Sequence, residues 1–313
     1  MAGASGNIKS PAWYSGGLAG VLAPGTGNVY FVNGGSDGPV NNAFDGTRAD
    51  RPKQTLQAAI DLCTANNNDY VIVLNYGGNA RAVETWPVTV DCDMIHIIGV
   101  GSLAQKWPVV SVLAPAAADT ANPALLVTAS RVEIAGLEIG GGDTAGCVHT
   151  GLLAGTWGTE IHDCFFGVTG DAVGQDGIRV PVTFDSPYLT VWGCRFGGFI
   201  TRDGVRIDGV VTRGSIGVLG KPRNLFTDIP GVAINLLTAI DGCGVYDNVI
   251  SIPANTAGAG ITLSATCTDC HVFGNQANFG DTTMGNNPFA DGAGAGANNW
   301  GLNYQGITAV MPS

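Results

Sequence analysis

The segments Val132–Ile139, Thr159–Phe166 and Leu189–Phe196, joined by Gly244–Ile250 and His271–Ala277, repeat one pattern: apolar, any residue, Gly or Asp, a small or Asn-like residue, any residue, apolar. Its β-branched anchors are Ile134, Ile161, Val191, Val218, Val245 and Val272, spaced 27, 30, 27, 27 and 27 residues apart. After Val218 the pattern accommodates Lys221-Pro222-Arg223 between Gly220 and Asn224, as a turn accepts extra residues between strands held in register. Ile97, 37 residues before Ile134, belongs to the coil before. A second column runs in phase through Ile178, Val205, Val232 and Ile261, each in a Gly-apolar-any-apolar tetrad. Repetition at this period is the mark of a solenoid, in which each unit buries its apolar face only against its neighbours.

The period of two within each anchored segment makes the units strands, and stacking coil on coil at about 4.8 Å pairs each strand with its counterpart. Glycine and asparagine supply the positive-φ corners between strands. The expected fold is therefore all-β: a right-handed parallel β-helix with an N-terminal capping helix. Composition agrees, since 48 of 313 residues are glycine and only 12% are charged, against about 25% in ordinary globular domains.

An open end of such a stack exposes unpaired backbone and core, so a cover is needed. Asp50 to Cys63 suits it: Pro52 fits a first helical turn, and Leu56, Ala59, Ile60 and Cys63 recur at the spacing of one buried face. Asn66-Asn67-Asn68 ends this helix before a strand at Tyr70–Leu74. The chain thus divides into a Gly-rich arm with a first strand (1–48), a capping helix (49–69), coils (70–277) and an irregular C-terminal cap or oligomerisation segment (278–313).

The strand Val29–Val32, a Gly/Asn/Asp-rich connection, and the run from Arg51-Pro-Lys-Gln-Thr through Ile60 before a strand and coils resemble the opening of the pectate-lyase-like β-helix proteins. The resemblance is nearest to bacteriophage tailspikes and other virion appendages of that fold. It covers roughly residues 28–277 and is specific for fold rather than function. It implies a homotrimer on a phage particle, with phage capsid or tail proteins as partners.

Charge excludes some functions. A net charge of −11 with 14 scattered basic residues leaves no footprint for a phosphate backbone, so nucleic acid is not an expected partner. No apolar run approaches the roughly 20 residues a spanning helix needs, and Met1–Ser10 has no apolar signal core. The expectation is a protein without a membrane partner, made in the host cytoplasm and located in the virion. The eight cysteines are expected to be mostly reduced and buried.

Candidate chemistry centres on Asp176-Gly-Ile-Arg179 and Asp203-Gly-Val-Arg206, whose carboxylates and guanidiniums both recur after 27 residues. Stacked coils would set Asp176 beside Asp203 and Arg179 beside Arg206. Paired carboxylates about 5–10 Å apart serve glycoside hydrolysis, and an arginine beside acids can serve proton abstraction in uronate lyases. The competing, favoured reading is a salt-bridged ladder. The acidic and His-Gly motifs of polygalacturonases have no counterpart, and Arg179-Val-Pro181 lacks the second arginine of the pectate-lyase motif, so no catalytic residue carries over.

Cys267-Thr-Asp-Cys270 has no second ligand pair nearby in sequence, so no metal and no cofactor is expected. Cys243 with Cys270, and Cys164 with Cys194, sit one coil apart and read as small apolar ladders, with a disulfide geometrically open. His96, His149, His162 and His271 form no legible His-acid-nucleophile set. Trp86, Trp107, Trp157 and Trp192 are aromatics that either stack on sugars or shield the core, with Trp157 and Trp192 the ligand candidates. The leading functional expectation is a non-enzymatic virion structural protein, a capsid decoration or tail appendage. The alternative is a tailspike-type depolymerase, hydrolase or lyase, or a receptor-binding protein acting on bacterial surface polysaccharide. A bacterial adhesin is weakened by the absent signal.

Overall fold

The computed structural model describes residues 27–34, 41–75, 83–100, 112–113, 123–140, 148–150, 157–167, 174–197, 200–238, 240–251, 260–277, 288–293, 296–305 and 308–310. Among them, nearly every strand pairs in parallel with a strand one coil away, and the strands assemble into three sheets of ten, nine and eight members. From Val88–Val90 to Asn303–Gln305, successive described strands fall in different sheets, so each coil lends strands to different faces, and the molecule is a parallel β-helix. The first column is continuous: Ile97 pairs with Ile134, Ile134 with Ile161, and Ile161 with Val191. All four are fully buried, the inward half of each strand's alternation.

Two predicted anchors are displaced. Val191 pairs with Ile216, and Ile216 with Val245, so Val218 lies outside the ladder. Gly217, at φ +83°, turns the chain directly after Ile216, and a Cβ there would meet the Tyr246 carbonyl oxygen at 1.7 Å. The inserted loop therefore starts at Gly217 and takes in Val218. Likewise Val205 pairs with Ile234, and Ile234 with Ile261, instead of Val232. There Ala233 occupies the place that Gly204 and Gly177 hold in the coils before.

The nine-stranded sheet carries a second inward stack, in which Phe166, Phe196 and Phe226 lie nearly parallel at centroid separations of 4.8 and 4.5 Å. Beside it runs a buried polar column. Cys164 and Cys194 are followed by Asn224, Asn248, Asn275 and Asn303, and each amide Nδ2 donates to the next Oδ1 at 2.8–2.9 Å. The Oδ1 atoms of Asn224, Asn275 and Asn303 accept from backbone N–H groups of the coil before, at Cys194, Asn248 and Asn275 respectively. A buried amide is tolerated because both its ends are satisfied.

The ends differ from expectation. The helix spans only Leu56–Ile60, with Thr55 as N-cap accepting from Ala58 N at 3.3 Å. Pro52 lies outside it, because Lys53 is bridged to Val32 and exchanges backbone hydrogen bonds with Phe31 and Asn33, which keeps this stretch extended. Leu56, Ala59 and Ile60 still turn inward and cover the first coil. At the far end the described residues within 278–313 include regular strands. Phe289–Asp291, Asn299–Trp300 and Asn303–Gln305 add one more strand to each sheet, and Thr308–Val310 folds back antiparallel to close an edge.

Candidate functional site

The register places Asp176 beside Asp203 and Arg179 beside Arg206. What surrounds them decides their chemistry. Asp176 is 0% exposed, is forked by the Arg202 guanidinium from Nε at 2.8 Å and from Nη2, and accepts from Asp203 N at 3.3 Å. Asp203, 2% exposed, accepts from Arg206 Nη1 at 3.0 Å, Val232 N at 2.8 Å and Asn235 Nδ2 at 2.9 Å. Asp208 completes the set by accepting from Arg206 Nε at 3.0 Å and Arg179 Nε at 2.9 Å. Burial alone would raise the Asp208 pKa, but Arg206 and then Arg179 hold it below the ordinary carboxylate value.

A general acid needs a proton to give and a general base needs a lone pair turned to substrate. Here the carboxylate oxygens are occupied by guanidinium, amide and backbone donors. The group left over is the buried Asn235 Oδ1, an acceptor with no proton chemistry. The arrangement is an ion-pair network along the eight-stranded sheet. Arg202 and Asp208 were readable in the run Arg202-Asp-Gly-Val-Arg-Ile-Asp208; Asn235 was hidden by the displaced column.

On the ten-stranded sheet the structure joins histidines that looked dispersed. Glu133 stands between two of them: its Oε2 meets His96 Nδ1 and its Oε1 meets His162 Nε2 at 2.8 Å. The remaining nitrogens are also engaged, His162 Nδ1 by Asp163 Oδ2 at 2.9 Å and His96 Nε2 by Asn68 Oδ1 at 2.7 Å. Desolvation disfavours charge on both partners, yet the hydrogen bonds outweigh it, holding His162 up at about 9 and Glu133 down at about 2. An imidazole bonded to carboxylates on both sides is a fixed cation, without a free nitrogen for proton transfer. The signal was present in the register: Glu133 and His162 each flank an anchor, Ile134 and Ile161, on adjacent strands. His271 is exposed on its strand, and the side chain of His149 lies outside the described residues.

The tryptophans separate into different roles. Trp192, 8% exposed, is stacked on His162 at 4.1 Å, donates to Glu160 Oε1 at 2.6 Å and is covered by Lys221 Nζ at 4.6 Å, so it offers no open face. Trp86 packs against the core, and Trp107 lies outside the described residues. Trp157 is 48% exposed and meets Tyr188, 45% exposed, edge to face at 6.3 Å.

Seven cysteines are described, all as free thiols, with Cys63 partly exposed and the others buried. Burial raises the Cys270 pKa to about 12 and that of Cys243 above its ordinary value; neither is an activated nucleophile. Among the described residues no three His, Cys, Asp or Glu side chains are placed to hold a metal ion.

No family model and no curated protein matches the chain. Among solved structures it is similar to an alginate lyase from Paenibacillus sp. str. FPU-7 (14% identity, TM-score 0.45, 81% of this chain and 96% of that one). It is also similar to the pectate lyase Pel9A (13% identity, TM-score 0.42, 92% and 78%). At these identities and scores neither likeness bears on activity.

Proposed function

We propose that the protein is a non-catalytic structural β-helix on the exterior of a bacteriophage particle, assembled as a homotrimer, whose flank contacts bacterial surface polysaccharide without cutting it. One observation carries the non-catalytic part: in both polar arrays the titratable groups are already bound to one another. Asp176, Asp203 and Asp208 are held by Arg202, Arg206 and Arg179, and Glu133 by two histidines. Long stacks of parallel hydrogen bonds resist local opening, which suits an exposed particle surface. The particle and trimer parts follow from the resemblance of the N-terminal region to virion appendages.

A depolymerase is the competing reading, favoured by the register pair Asp176 and Asp203. The two separate by experiment. Mass spectrometry and immunogold imaging of purified particles should find the protein on their surface, and light scattering should give three times the 31.9 kDa chain mass. Incubation with host polysaccharide should release neither reducing nor unsaturated ends. Absence from particles would end the virion role, and released ends would establish the depolymerase instead.

A further inference from the structure

At the corner leading into the ten-stranded sheet, successive coils pass the same point, and the side chains there form a ladder. Arg131 stands on one coil, Trp157 on the next, Tyr188 on the third and Arg213 on the fourth, tied by the hydrogen bonds Arg131 N to Trp157 O, Gly158 N to Pro187 O and Tyr188 N to Thr212 O. Gly158 holds the ladder position between Arg131 and Tyr188 without a side chain, and Trp157 precedes it on the same coil. The Arg131 guanidinium lies 5.6 Å from the Trp157 ring centroid, and Arg213 Nη1 donates to the Tyr188 hydroxyl at 3.2 Å. Three coil spacings separate the two arginines, about 14 Å.

Two features distinguish this ladder from ordinary surface; the positive φ of Tyr188, +59°, is not one of them, because Arg131 at +56° and Arg213 at +54° share it at the same corner. Trp157 and Tyr188 are each close to half exposed. Among the described residues neither Arg131 nor Arg213 pairs with a carboxylate, whereas Arg179, Arg202 and Arg206 all do. Arg131 Nη2 donates to Asn66 Oδ1, a neutral partner, and its Nε is buried without one.

We infer that this corner is a binding site for an anionic saccharide, with Trp157 and Tyr188 stacking on the apolar faces of sugar rings and Arg131 and Arg213 receiving carboxylate or sulfate groups at either end. Aromatic rings with a polar rim suit amphipathic sugars, and guanidinium forks match planar carboxylates. The inference rests on the surface-contact part of the function proposed above and narrows it to acidic glycans, against a chain whose net charge of −11 would otherwise repel them.

Native affinity electrophoresis of the full chain in gels containing hyaluronan, chondroitin sulfate or neutral dextran tests it. Both polyanions should retard the protein and dextran should not. Trp157→Ala and Arg213→Gln should each weaken retardation at least fivefold with unchanged melting temperatures, and added salt should weaken it further. Dextran retardation lost in the same variants would overturn the anionic assignment while leaving surface contact with sugars intact. Retardation unaffected by either variant would overturn the site, and failure of all three polymers to retard would overturn both the site and the surface-contact reading.

Discussion

Asn248 donates from Nδ2 to the Oδ1 of Asn275 at 2.8 Å, and neither side chain is exposed to solvent. Asn248 also accepts from Asn224 Nδ2 at 2.9 Å, so one residue satisfies a partner on each side along the helix axis. Removing its side chain leaves one N–H of the Asn224 amide without an acceptor and takes a donor from the Ile216 carbonyl, while Asn275 Oδ1 keeps the backbone N–H of Asn248.

Asn248→Ala is therefore expected to destabilise the protein more than a change of volume would suggest, at about 1–3 kcal/mol for each orphaned group. Urea denaturation followed by far-ultraviolet circular dichroism measures it. A loss below about 0.5 kcal/mol, the size of an ordinary surface change, would mean the column is not closed.

The Glu133–His162 pair predicts a pH profile. His162 is raised from 6.5 to about 9 on folding, so its contribution is complete below pH 6.5 and is lost as pH rises through 9. Glu133 is lowered from 4.5 to about 2, so its contribution is complete above pH 4.5 and is lost as pH falls through 2. Stability from the pair should peak between about pH 4.5 and 6.5 and fade by pH 9.5. His162→Gln should abolish that slope; a variant that follows the wild-type pH curve would refute the assignment.

Asp176→Ala should lower stability by about 2–3 kcal/mol, less than for a fully buried pair because the Arg202 guanidinium reaches solvent. Its binding to an acidic glycan should be unchanged, since it lies outside the proposed corner site. A variant of wild-type stability would show that the Arg202 fork contributes nothing.

Ile216→Ala should cost about 2–5 kcal/mol, whereas Val218→Ala should cost about 0.5 kcal/mol or less, because only Ile216 occupies the stack between Val191 and Val245. Equal costs would place Val218 inside.

That contrast also shows how far the sequence could be read. Coil periodicity and the pairing of Asp176 with Asp203 were legible because each depends on residues separated by one coil without insertions. Val218 and Val232 were misplaced by two residues each, from Ile216 and Ile234. A slip of two preserves which side chains point inward, so hydrophobic alternation cannot detect it, whereas a slip of one would have exposed the core face. The Glu133–His162 contact is diagonal between neighbouring strands and escapes a search for residues at identical phase. The Trp157–Tyr188 contact was obscured for a different reason: its rings come from neighbouring corner positions, because Gly158, not Trp157, holds the ladder position between Arg131 and Tyr188.

Cysteine cross-linking tests the stacked register most directly. Thr190 and Ser215 are register partners flanking the buried anchors Val191 and Ile216, within the Cα separation of about 4.4–6.8 Å that a disulfide spans. Mild oxidation of a Thr190→Cys/Ser215→Cys variant should form an intramolecular bond, and Thr190→Cys/Val218→Cys should not. Linkage of the second pair instead of the first, or of neither, would contradict the coil register on which every array described above depends.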